Sequence, residues 1–215
     1  MAKLFFDDKT YIWKTKLNLS EHGEVIIKEA TDYVSNYKGQ SPFDGYGYKK
    51  EWTEHQDFDG EFKVENKLDL ICNLGMEKCK ELWNTDVKKI YNKINTESWV
   101  NIVRSKNPKQ PQFQDGVDKY HVHTDISRVM ESFVPHYTYV YYIQMPNIMN
   151  GDDGVLYFKN RDGKEYWIRP EVDDLIIMEA WMPHAPMNAP ESTVDRIVMA
   201  GNVGFEMIKK EKSLL

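Results

Sequence analysis

From Ser98 onward the chain falls into short runs rich in β-branched and aromatic residues, at 98–104, 119–124, 136–145, 154–158, 164–169, 174–180 and 194–203. Turn signals separate them: Asn107-Pro108, Asp115-Gly116, Asn150-Gly151, Asp162-Gly163 and Pro183. Branched and aromatic side chains fit the pleated surface of a sheet, and Gly, Pro, Asn and Asp supply the dihedrals that reverse a chain. Several short strands at this spacing predict a sandwich or a barrel. An ordinary β-sandwich with no chemistry satisfies the same pattern.

The first 97 residues read differently. Ser20 is placed as an N-cap, followed by Ile26, Ala30, Tyr33, Val34 and Tyr37 at spacings of three and four, which predicts a helix over about 21–38. Residues 40–62 carry Gly, Pro, Asp and Tyr without period and read as a long loop with room for one short strand. A second helix is expected over about 65–83, with Leu68, Ile71, Cys72, Met76, Cys79, Leu82 and Trp83 inward, and a short third around 85–93. The expectation is one domain over 1–215, with a mostly helical support region at 1–97 and a β core at 98–205.

A length of 215 residues with 41% hydrophobic content is enough for one proper core. The net charge of −6 speaks against a dedicated nucleic-acid binder, which carries a basic face. It permits an anionic small ligand, since a pocket needs only one or two cations. Cys72 and Cys79 are the two cysteines. On a helix they share a face at about 10 Å, too far for a disulfide, so they read as reduced core residues of a cytoplasmic protein. The N-terminus reaches acid too soon for a signal peptide, and no apolar run approaches the ~20 residues that span a bilayer.

The chemistry is concentrated in Tyr120-His121-Val122-His123-Thr124-Asp125. Residues two apart on a strand share a face, so His123 and Asp125 can reach one metal ion. Two imidazoles and one carboxylate on one side of an octahedron leave three positions open, the arrangement of non-haem Fe(II) oxygenases. Downstream, His184 in Trp181-Met182-Pro183-His184-Ala185-Pro186 follows the apolar run 175–178 and can supply the second imidazole. Arg196 enters another apolar strand, where it is either an edge residue or a buried anchor for a carboxylate. His121 shares the face of His123. It could replace Asp125 in an H-x-H site but could not join both, because 121 and 125 lie ~13 Å apart on an extended strand. The harder carboxylate donor favours Asp125.

Taken in order, these features resemble the Fe(II)/2-oxoglutarate-dependent oxygenase superfamily, in particular its prolyl-4-hydroxylase-like branch. The resemblance covers about half of the chain, from Ser98 to Phe205. It is carried by His123-Thr124-Asp125, the aromatic strand Val140-Tyr141-Tyr142-Ile143, Gly154-Val155-Leu156-Tyr157-Phe158, Pro170 ahead of Leu175–Met178, His184 and Arg196. Two positions depart from that pattern: Asp173-Asp174 where the family often has Gly, and Met178 where it often has Phe.

The resemblance implies a double-stranded β-helix (jelly-roll) with flanking N-terminal helices. It implies Fe(II) held by His123, Asp125 and His184, and 2-oxoglutarate held through its distal carboxylate by Arg196 and Tyr142. Tyr137, Tyr139 and Tyr141 lie on the opposite face of that strand, and one of them would serve instead if that face turned inward. The implied activity is that of a dioxygenase, a hydroxylase in particular. It would use dioxygen to decarboxylate 2-oxoglutarate and oxidise a second substrate. A peptidyl side chain is the first candidate for that substrate by analogy; a free amino acid, a sugar and a modified nucleotide stay open. Two other readings remain: a cupin-like metalloenzyme without 2-oxoglutarate, and a non-catalytic jelly-roll binding or structural module. His22, His55 and His136 read as structural, and Arg128, Arg161 and Arg169 as rival anion anchors.

Overall fold

The computed structural model describes residues 1–36, 50–55, 64–87, 91–103, 135–187 and 189–207. Among them are ten strands and two α-helices. The strands are β1 (Ala2–Phe5), β2 (Tyr11–Lys16), β3 (Lys50–His55), β4 (Tyr91–Val103), β5 (Tyr137–Gln144), β6 (Leu156–Lys159), β7 (Glu165–Ile168), β8 (Asp174–Glu179), β9 (His184–Pro186) and β10 (Arg196–Met207). The helices are α1 (Gly23–Asn36) and α2 (Lys67–Leu82). Seven strands form one sheet in the order β1-β2-β8-β5-β10-β4-β3, and three form a second in the order β7-β6-β9. Every pairing is antiparallel.

The large sheet is covered on both faces, which is why β5 and β8 read as unbroken apolar runs rather than alternating ones. One face meets the helices. Tyr137, Tyr139, Tyr141, Leu175, Ile177, Ile197, Met199, Val203 and Phe205 pack there with Ile26 and Ala30 of α1 and with Leu68, Ile71, Cys72, Met76, Cys79 and Leu82 of α2. The opposite face meets the small sheet. Ile12, Val140, Tyr142, Ile176, Met178, Val198 and Ala200 pack there against Leu156 and Phe158 of β6. Two stacked antiparallel sheets with helices on the outer side of the larger make the jelly-roll that the resemblance implies.

Tyr139 keys the helices to the sheet. It lies opposite Gly201 of β10, which in turn lies opposite Ser98 of β4. The Tyr139 ring crosses Gly201, and its hydroxyl hydrogen-bonds the Ser98 hydroxyl. A Cβ on Gly201 would sit 2.5 Å from the ring, and one on Gly75 of α2 would sit 2.8 Å from it. The glycine that interrupts the helical pattern at 75 therefore lets α2 approach the sheet over this ring.

Helix α2 starts where a cap is available. Asn66 is extended, and its side chain accepts the Asp69 N–H at 2.8 Å. This satisfies one of the four orphan donors of the first turn. Asn66→Ala is expected to lower stability by about 1 kcal/mol, read as a shift of the urea midpoint at constant slope.

Four expectations are corrected. Ser20 is not an N-cap: it opens a 3-10 turn (Ser20–His22) capped by Leu19 with no side-chain bond, and α1 begins at Gly23. The third helix around 85–93 is not seen among the described residues. The chain leaves α2 through a π-turn at Trp83–Val87, and by Tyr91 it is already strand. The switch to strands thus comes earlier than residue 97, masked in the sequence by the polar Asn92, Lys93 and Asn95. The N-terminal region also supplies β1, at one edge of the large sheet, and β2 between β1 and β8; Lys3 on β1 suits an exposed edge, and Lys14 and Lys16 on β2, which hold Asp174, hide its alternation. The expected strand at 119–124 lies outside the described residues.

Turn positions follow their residues. Gly163 takes φ 78° in the β6–β7 hairpin, where the Asp162-Gly163 pair signals a turn. Asp173 takes φ 71°, a region that Asp tolerates better than most side chains. Its carboxylate collects the N–H groups of Asn18 at 2.8 Å and Leu19 at 3.0 Å and the Tyr141 hydroxyl at 2.8 Å. The departure from glycine at this turn is therefore compensated by three hydrogen bonds.

Candidate active site

Antiparallel register fixes which side chains share the space between the sheets. On β10 the inner face carries Arg196, Val198, Ala200 and Asn202, because Val198 and Ala200 belong to the inter-sheet core while Ile197 and Met199 belong to the helix side. Directly opposite residues of a pair share a face. Val198 faces Tyr142, Ala200 faces Val140 and Trp99, and Asn202 faces Thr138 and Glu97. On the small sheet Phe158 points inward and His184 is its cross-strand partner, so His184 points inward too.

One end of this interior is cationic. Arg196 is 4% exposed. Its Nη1 donates to the Met187 carbonyl at 3.0 Å, while its Nε is buried with no hydrogen-bond partner among the described residues. Burial pulls the guanidinium below its ordinary range, and the Tyr142 hydroxyl nearby acts the other way. Tyr142 is pushed up by burial, with Arg196 opposing and Asp174 reinforcing the shift. Asp174, also on the inner face, is clamped by Lys14 at 2.7 Å and Lys16 at 3.0 Å. Even with exposed Glu171 sharing Lys16, the balance at this end stays positive among these described residues.

His184 lies toward the other end. The chain leaves β8 beside β5, where the Ala180 N–H donates to the His136 carbonyl, and returns along β9 toward Met187 and Arg196. His184 opens that return and is 4% exposed. Its Nδ1 meets the Met182 carbonyl at 3.0 Å. A carbonyl can only accept, so Nδ1 carries the proton and the lone pair is on Nε2. This is the tautomer and orientation a metal-ligating imidazole requires.

The sequence-predicted residues are distributed as follows. His184, Arg196 and Tyr142 share the interior between the sheets. Tyr137, Tyr139 and Tyr141 point to the helices instead, and Tyr139 and Tyr141 are engaged by Ser98 and Asp173. His121, His123, Asp125 and Arg128 lie outside the described residues. Among the described residues no group of three His, Cys, Asp or Glu side chains comes together. Arg161 and Arg169 are exposed, one over the Trp181 ring at 4.6 Å and the other on the Gly151 carbonyl. Neither reaches the interior as Arg196 does. His136 packs on Trp83 and Phe205, and its Nδ1 accepts the Phe205 N–H at 3.1 Å, a structural position. Burial lowers its pKa. Cys72 and Cys79 are buried in α2 as thiols, and no helix of the described residues is long and apolar enough to cross a membrane.

The polar inner-face residues Glu97, Asn202 and Thr138 escape a sequence reading that looks for metal ligands. Their signal is an interruption: Asn202 breaks the apolar alternation of β10 at a position that faces inward.

The architecture recurs in solved structures at low sequence identity. A prolyl-4-hydroxylase from Pseudomonas putida matches with a TM-score of 0.53 at 12% identity, over 92% of this chain and 93% of that one. IDO from Bacillus thuringiensis matches with a TM-score of 0.55 at 12% identity, over 89% of this chain and 90% of that one. No family model matches the chain, and no curated protein matches it in sequence. The fold is therefore a prolyl-hydroxylase-type jelly-roll, mainly antiparallel β with two helices.

Proposed function

We propose that this protein is an Fe(II)- and 2-oxoglutarate-dependent dioxygenase, acting as a hydroxylase. The observation that carries the reading is Arg196: a buried guanidinium whose Nε has no partner among the described residues, beside the Tyr142 hydroxyl, at the cationic end of a jelly-roll interior. A buried charge is costly unless paired, and a dicarboxylate co-substrate would pair it. A cupin-like enzyme without 2-oxoglutarate has no need of this arginine, and in a non-catalytic binding module the inward His184 would be incidental.

Arg196 and Tyr142 would bind the distal carboxylate by charge-assisted hydrogen bonds. His184 would present Nε2 to iron, with His123 and Asp125 as the other two ligands. Phe158, Ile176, Met178, Val140 and Ala200 line the interior with apolar surface that excludes water from the reacting centre. When bound, iron and 2-oxoglutarate supply the oxidative decarboxylation to succinate and carbon dioxide that lets dioxygen deliver one oxygen atom to a substrate C–H bond.

The test is an anaerobic titration of Fe(II)-loaded protein with 2-oxoglutarate, following the visible charge-transfer band of the chelated keto-acid. A saturable band, lost in Asp125→Ala and kept in His121→Ala, is expected. The reverse pattern would select the His121/His123 site. Bound iron without a band would point to the cupin-like reading, and no bound iron to the binding module.

A further inference from the structure

The interior has a second polar feature, at the end away from Arg196. Glu97 of β4, Asn202 of β10 and Thr138 of β5 form one row across three adjacent strands. The Thr138 hydroxyl donates to Asn202 Oδ1 at 2.9 Å, and Asn202 Nδ2 donates to Glu97 Oε1 at 2.8 Å. The chain of bonds has a direction: Thr138 fixes the amide of Asn202 so that its NH₂ faces the carboxylate. Thr138 and Asn202 are fully buried, and Glu97 is 7% exposed.

Glu97 is compensated far less than Asp173 and Asp174, the two buried carboxylates at the other end of the large sheet. Asp173 accepts three hydrogen bonds. Asp174 holds two lysines and a backbone N–H. Glu97 has one amide donor and, among the described residues, no cation. A carboxylate offers about four acceptor sites, and burying it without a partner is expensive. Such a group is retained where something else completes it.

Its place says what that is. Asn202 is six residues along β10 from Arg196, ~20 Å on an extended strand, whereas Met187, the Arg196 acceptor, is three residues from His184, ~10 Å. Glu97 therefore lies beyond His184, on the side opposite the cationic end. Between the two polar ends the inner face carries Ala200 and Val140, with Trp99 beside them.

We infer that Glu97, oriented through Asn202 and Thr138, binds the cationic amino group of the primary substrate, and so restricts the substrate to molecules carrying a primary ammonium. The inference rests on the oxygenase reading, which makes the Arg196 end the co-substrate side and leaves the Glu97 end to the substrate. An α-ammonium of a free amino acid and the side-chain ammonium of a lysyl residue share this chemistry.

The test uses the full Fe(II)-loaded chain with saturating 2-oxoglutarate under anaerobic conditions. Binding is measured calorimetrically for the proteinogenic L-amino acids one at a time, their N-acetyl derivatives, and N-acetyl-lysine amide. At least one ammonium compound is expected to bind at least about tenfold more tightly than its acetylated counterpart. Glu97→Gln, which keeps an acceptor for Asn202, is expected to erase that difference while the 2-oxoglutarate titration midpoint stays put. Binding by free amino acids alone identifies the α-ammonium; binding by N-acetyl-lysine amide identifies the side chain. No discrimination in the wild type, or discrimination unchanged in Glu97→Gln, would overturn the assignment. If the charge-transfer band is absent but Glu97-dependent discrimination persists, the oxygenase reading fails and the ammonium site stands.

Discussion

Arg196→Ala is expected to weaken 2-oxoglutarate binding by about a hundredfold or more, the scale on which stripping one partner from a buried ion pair acts. The same variant should not lose stability in the ligand-free state. There the guanidinium is desolvated, its Nε has no partner among the described residues, and its one described bond is to the Met187 carbonyl. Removing it takes away a cost together with a single hydrogen bond. Anaerobic titration and thermal unfolding of the same preparation separate the two effects. Arg196→Lys should fall between, since it restores charge but not the planar fork that matches a carboxylate. Unchanged affinity in Arg196→Ala would refute the assignment of Arg196 as the anchor of the 2-oxoglutarate carboxylate.

Gly201→Ala is expected to destabilise the fold by about 2–3 kcal/mol, although alanine is ordinarily the better strand residue. The added methyl would stand 2.5 Å from the Tyr139 ring. That ring cannot retreat, because Gly75 of α2 closes on its other side and Ser98 holds its hydroxyl. Urea unfolding measures the loss. A double-mutant cycle with Tyr139→Leu tests the cause: the smaller, flexible side chain should absorb the methyl, so the two changes together should cost clearly less than their sum. Additive costs would show that the glycine matters for a reason other than this ring.

How far the sequence could be read depended on how each element is buried. Strands covered on both faces, β5 and β8, announce themselves as continuous apolar runs. The hairpin between β6 and β7 announces itself by Asp162-Gly163. The edge strand β1 is hidden by Lys3, the kind of charge by which edges avoid pairing with other chains, and β2 is hidden by Lys14 and Lys16, which turn inward to hold Asp174. The first part of β4 is hidden by Asn92, Lys93 and Asn95, and reads as the end of a helical region. At the site, the inward placement of Arg196 and Tyr142 follows from strand parity once β5 and β10 are recognised. The identity of the inward face does not, because it depends on which side of the sheet the helices cover. Glu97 and Asn202 were illegible for a different cause: a polar residue in an apolar strand becomes informative only when register brings it opposite another.

The alternation along β10 means that one strand answers to two masters. Its even-numbered residues from Arg196 to Asn202 face the interior, and its odd-numbered residues from Ile197 to Phe205 face the helices. Variants of this strand should therefore sort by arithmetic. A change at 196 or 202 should register in what the protein binds, while 198 and 200, packed between the sheets, should move binding and stability together. A change at 197, 199, 201, 203 or 205 should register in how hot or how much urea the protein survives. A library that randomises β10 would separate into two phenotypic classes with a period of two, the inward class marked by altered ligand binding and the helix-facing class by altered stability alone.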